Sequence, residues 1–188
     1  MTGPAPRGMS RRARSRPARL AADKRGNALI EFALVLPVLL VLFLGGWQLS
    51  DASACKRRVG IVNRAVADMV SRSQSMTEAQ VQTVLSASAQ IMAPYTPAKA
   101  MVRVTAVTVD AAGSPKVVWS RARNGTKRTE GSVVTIMPTG LRLAGVSYVM
   151  SETSYAFDAG LAKFGFPMTF TQTLFMLPRK SSAVNLTP

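Results

Sequence analysis

Residues 24–50 read KRGNALIEFALVLPVLLVLFLGGWQLS, and their composition decides what kind of protein this is. Glu31 is the one ionisable residue between Asn27 and Ser50, and from Phe32 to Ser50 there is none. At helical rise those uncharged residues cover about 28 Å, close to the roughly 30 Å of a bilayer's hydrocarbon core. Leu34, Val35, Leu36, Val38, Leu39, Leu40, Val41, Leu42, Phe43 and Leu44 leave no polar stripe, as a soluble core helix would require. The stretch therefore predicts a transmembrane helix over 27–50. Trp47 suits the far interface, and the basic flank on the near side marks that side as cytoplasmic. Residues from about 51 onward then lie outside, which is the periplasm in a Gram-negative host.

Working outward, residues 1–26 form a basic cytoplasmic leader carrying Arg7, Arg11, Arg12, Arg14, Arg16, Arg19, Lys24 and Arg25 against one acid, Asp23. Membrane topology explains that charge. A nucleic-acid-binding arm competes, but no aromatic residue in 1–26 could stack on a base, so no nucleic-acid partner is expected. A secretory signal would want a shorter leader and a shorter apolar run before Ala52-Ser53-Ala54. A lipoprotein site ending at Cys55 is interrupted by Asp51. The whole chain of 188 residues has a formal charge of +15, no histidine and one cysteine. Histidine-based catalysis, an internal disulfide and a thiolate metal cluster are thereby excluded. The remaining acids are scattered, and no phosphate-binding glycine pattern occurs. The expectation is a non-enzyme with no catalytic residues, no metal and no cofactor.

Gly26 stands at the membrane edge, and Glu31 five residues later lies inside the apolar segment. A carboxylate there is costly, about 2.5–3.5 kcal/mol at mid-depth and less near the interface, so it needs a partner. Singly these features are weak: glycine is common at membrane boundaries, Pro37 is tolerated in such helices, and Glu31 could reach interfacial water. Together they resemble a type IV prepilin processing site. The run from Arg25 through Pro37, with its Glu31-Phe32 pair and Gly45-Gly46 exit, is similar to the TadE-like pseudopilins of Tad/Flp pilus systems. The resemblance is closest over about 25–55. It is looser in Val118–Arg121, Val134–Pro138, Ser151–Tyr155 and Leu177–Arg179. It implies cleavage between Gly26 and Asn27 by a prepilin peptidase, and assembly through Glu31 and Phe32. It also implies pilins, pseudopilins, a Tad inner-membrane assembly platform and the lipid bilayer as partners, with a role in surface adherence. The implied location is the inner membrane, single-pass, with a periplasmic C-terminal domain.

Beyond the membrane, residues 51–98 predict amphipathic stem helices. Cys55, Val59, Val62, Val66 and Met69 recur at spacings of four and three, which places an apolar stripe on a helix reaching about Arg72. Ser75-Met76-Thr77-Glu78 matches a capping box for a second helix that Pro94 ends. From Met101 the period becomes two. Strands are expected at Met101–Val107, Lys116–Arg121, Ser132–Met137, Val146–Phe157 and Met168–Leu177. Asn124-Gly125 reads as a hairpin turn, Asp158–Pro167 as a link with a helical turn, and Asn185-Leu186-Thr187 as tail. The fold class is α+β: a long N-terminal helix, then a small antiparallel sheet domain over 99–188 that covers the stem's apolar face. Two functions fit. One is a minor pseudopilin processed after Gly26. The other is an unprocessed single-pass inner-membrane protein whose periplasmic domain binds a ligand or scaffolds a complex.

Overall fold

The computed structural model describes Gly3, residues 24–158 and residues 167–187. The leader up to residue 23, and most of the link expected between Asp158 and Pro167, lie outside the described residues. The chain divides into two compact units, Met1–Gly46 and Trp47–Pro188. Helix α1, Lys24–Ser71, belongs in part to each.

In the first unit, α1 carries its apolar side chains uncovered. Leu29 and Phe43 are each 71% exposed, and Leu34, Val38 and Val41 are similarly bare. Pro37 sits inside the helix without ending it. A helix of this length with no apolar surface buried is long and apolar enough to cross a membrane.

In the second unit, the same helix turns one face inward. Ala52, Cys55, Val59, Val62, Val66 and Val70 are buried. The expected stripe thus holds through Val66 and then leaves Met69, which is 44% exposed, for the fully buried Val70. A step of four follows a step of four because the helix turns 3.6 residues and the buried face drifts. After α1, Ser75–Thr77 forms a short strand β1, and helix α2 spans Glu78–Gln90. The expected capping box on Ser75 and Glu78 is wrong by two residues. Thr77 caps, its hydroxyl accepting from the Gln80 amide while the Gln80 side chain accepts from the Thr77 amide. Ser75 could not cap because Met76 and Thr77, which would form its first helical turn, stay extended in β1.

The main sheet contains β2 (Ala100–Val109), β3 (Pro115–Arg123), β4 (Ser147–Phe157) and β5 (Met168–Met176). It is antiparallel throughout, in the order β3-β2-β4-β5. The register of β2 against β3 shifts between Ala106, opposite Trp119, and Val107, opposite Val117. Val118 is the extra residue of this bulge, and it sends its two neighbours to opposite faces. Trp119 therefore joins the helix-side core with Val59, Val62, Val66, Leu85, Val102, Val104 and Val149. Val117 joins a second cluster of Val107, Val109, Val134, Met137, Tyr148 and Met150.

Two expectations for the segment after β3 also fail. Ser132–Met137 is not a strand, and Asn124-Gly125 is not a two-residue hairpin; Val133 makes only an isolated bridge to Lys116. Asn124 does adopt the left-handed φ of 53° that suits a turn, but its side-chain amide donates to Pro97 O and Ala100 O. Beyond it, Arg103 donates to Thr126 O, and Arg142 donates to Thr135 O and Met137 O. Side chains thus hold carbonyls that a strand would have given to a ladder. Nor is the C-terminus a tail: Asn185–Thr187 is strand β6, paired parallel with β1. The Trp119 indole N–H donates to Val184 O at 2.8 Å just before it.

Candidate functional site

Gly26, Asn27, Glu31 and Phe32 occupy the first turns of α1, and all four are exposed. Asn27 and Glu31 are four residues apart, one turn along the same face. A Cβ added at Gly26 would meet nothing within 4 Å. The fold itself makes no demand for glycine at this position, so any requirement for a small residue comes from something that approaches the chain from outside. Gly45 and Gly46, at the far end of the apolar run, are equally open. Glu31 has no ion-pair partner among the described residues, although it sits in sequence between Ile30 and Phe32. A lone carboxylate on an otherwise apolar helix surface is an incomplete arrangement in a low-dielectric setting, and a positive charge at the same depth would complete it.

The second unit has a fully paired charge cluster that the sequence did not reveal. Glu152, on β4, is buried between Arg103 on β2 and Arg128 in the segment after β3. Arg103 donates to it through Nε at 2.7 Å and Nη2 at 2.9 Å. Arg128 donates through Nε at 2.9 Å and Nη2 at 2.8 Å. Burial alone would raise the Glu152 carboxyl, but hydrogen bonds from Arg128 and Arg103 outweigh it and hold the carboxyl below its usual range. Four charge-assisted bonds leave this carboxylate no free lone pair aimed at a substrate, so its work is to pin the 124–131 segment to the sheet. Register across β2 and β4 would have been the signal, since Arg103 lies directly opposite Glu152.

Cys55 is buried, and its thiol is pushed up to about 11 by burial and by the nearby Asp51 carboxylate. It is a packing residue rather than a nucleophile. Asp51 accepts a 2.7 Å hydrogen bond from the Tyr95 hydroxyl, which ties the start of the stem to the loop after α2. Among the described residues, no group of three or more His, Cys, Asp or Glu side chains could hold a metal ion. The notable chemistry is therefore at the beginning of α1, where a glycine and a carboxylate precede an uncovered apolar surface.

Comparison with known proteins falls on the same segment. The family model described as TadE-like protein matches residues 26–59, from the glycine at the membrane edge into the inward-facing stem. The resemblance read in the sequence is borne out over that stretch, and it ties the stretch to Tad pilus-associated proteins. No curated protein and no solved structure matches the chain.

Proposed function

We propose that this chain is a minor pseudopilin of a Tad-type pilus. In this reading it is a structural protein of the inner membrane, cut after Gly26 by a prepilin peptidase and assembled through the helix that begins at Asn27. The observation that carries the reading is the start of α1. Among the described residues nothing crowds Gly26 and nothing pairs with the Glu31 carboxylate five residues later, and both lie at the head of an uncovered apolar helix that matches the TadE-like family. The arginine-rich leader keeps the N-terminus in the cytoplasm and directs the second unit to the periplasm.

Cleavage would expose a positively charged amine at Asn27, one turn, about 6 Å, from Glu31 along the helix. In a bundle of such helices the Glu31 carboxylate of one subunit faces the Asn27 amine of its neighbour. Low dielectric strengthens that attraction. The charge is compensated only in one axial register, which makes Glu31 a selector for assembly. Phe32, the next residue along the helix, is 58% exposed and offers an apolar ring to the same assembly. The partners are then other pilins and pseudopilins, held at an inner-membrane platform.

The deciding experiment is N-terminal sequencing of the membrane-extracted protein alongside its Gly26→Val variant. The wild type should begin at Asn27, and the variant should remain a precursor longer by the 26-residue leader. A variant that still begins at Asn27, or a wild type that keeps its leader, overturns processing. The second result would leave an unprocessed single-pass membrane protein.

A further inference from the structure

The stem portion of α1 has a second, outward seam that the core does not use. Arg57, Ile61, Arg64 and Asp68 recur at spacings of four, three and four, the pattern by which one helix packs along another. They line one side of a groove of about 600 Å³, which Met176 at the end of β5 and Arg179 close on the other side. The floor is apolar and flat. Ile61 is 51% exposed, Ala65 adds only a methyl, and a Cβ at Gly60 would meet nothing within 4 Å.

The rim is positive and only partly neutralised. Asp68 is the groove's one acid, and it is already shared between Arg72 at 2.6 Å and Arg179 at 3.1 Å. Among the described residues, Arg57 reaches only the Ser53 hydroxyl at 3.3 Å and Arg64 has no carboxylate partner. Two guanidinium groups two turns apart therefore bracket an exposed isoleucine.

We infer that this groove docks an amphipathic helix of a partner protein, one with an apolar residue opposite Ile61 and carboxylates about two turns apart opposite Arg57 and Arg64. Charge complementarity selects the acidic partner, and the absence of side-chain bulk at Gly60 and Ala65 lets its backbone come close. A second copy of this chain does not fit. Its α1 has acids at Glu31, Asp51 and Asp68 and its α2 at Glu78, and no two of them are two turns apart on one helix. Anionic lipid headgroups fit poorly as well, because at helical rise Arg64 lies about 21 Å beyond Ser50, past a headgroup layer only several ångströms thick. The inference goes beyond the pilin reading and does not depend on cleavage after Gly26.

The test places a photo-crosslinking benzoylphenylalanine at Ile61 in the full chain, in the membranes of its own host, and sequences the captured segment. The expected product is an apolar helix carrying at least two carboxylates, from a protein other than this one. Its yield should fall about tenfold or more in the Arg57→Glu, Arg64→Glu double variant and persist in the Arg57→Lys, Arg64→Lys variant. Both arginines are exposed, so an unchanged thermal unfolding profile shows that the charge reversal leaves the fold intact. Crosslinks to lipid, to a second copy, to a neutral or basic segment, or to nothing would overturn the inference. So would a yield that ignores charge reversal. Reading the crosslink on both precursor and cleaved protein separates this outcome from that of processing.

Discussion

At the scale of single residues, two glutamates with opposite surroundings make contrasting cases. Glu31 has no ion-pair partner among the described residues, and its proposed role is to find one in a neighbour. Glu31→Ala is expected to insert in the membrane at normal levels but to be lost when other pilins are co-purified. Wild-type recovery of the variant would reduce Glu31 to an interfacial carboxylate. Glu152, by contrast, is satisfied entirely within the fold. Its folded-state carboxyl is held below the ordinary value of 4.5, so its contribution to stability is complete above that value and is lost as pH falls through the depressed one. Glu152→Gln keeps the shape but leaves Arg103 and Arg128 facing each other without a counter-charge, which should cost about 3 kcal/mol at neutral pH. Thermal unfolding in detergent from about pH 7 down to about pH 3 reads both effects. The wild type should lose stability at the acid end, and the difference between the two proteins should narrow there.

Elements in this chain are set by local chemistry until a distant pairing overrules it. Both Ser75-x-x-Glu78 and Thr77-x-x-Gln80 satisfy the sequence rule for a capping box. What decides between them is the pairing of Met76 and Thr77 with Leu186 and Thr187, far along the chain, which keeps the residues after Ser75 extended and lets the helix start only at Glu78. Thr77→Ala should therefore destabilise the second unit by about 1 kcal/mol in chemical denaturation, while Ser75→Ala should lie within about 0.5 kcal/mol of wild type. Equal effects would return the cap to Ser75. The failed strand at Ser132–Met137 has a cause nearer at hand. The segment is apolar and partly β-branched, as a strand would be, although its buried residues Val134 and Met137 are three apart and a strand would divide them between its two faces. Yet the carbonyls of Thr135 and Met137 are taken by the Arg142 side chain, a hydrogen-bonding choice that alternation of apolar residues does not encode.

At the scale of the whole molecule, the second unit is closed by its last residues. Val184 is buried in the helix-side core, its carbonyl accepts from Trp119, and the strand after it completes the β1–β6 pair. A stop codon after Ala183 should lower the unfolding temperature by roughly 5–10 °C, because it strands a buried indole N–H and uncovers Trp119. No change in unfolding temperature would make the segment a tail after all.

The sequence alone determined the uncovered apolar helix, its continuation as an inward-facing stem, the α+β class, and the TadE-like character of its first turns. These are read from periodicity and composition over contiguous residues, where helix rise and burial cost act locally. The tertiary structure decided the Thr77 cap, the bulge at Val118 that sends Val117 and Trp119 into different cores, the Arg103–Glu152–Arg128 cluster, the β1–β6 pair and the arginine-rimmed groove. Each of these joins residues far apart in the chain. Their partners are chosen by strand register and by the competition of buried polar groups for hydrogen bonds, and both exist only once the chain has folded.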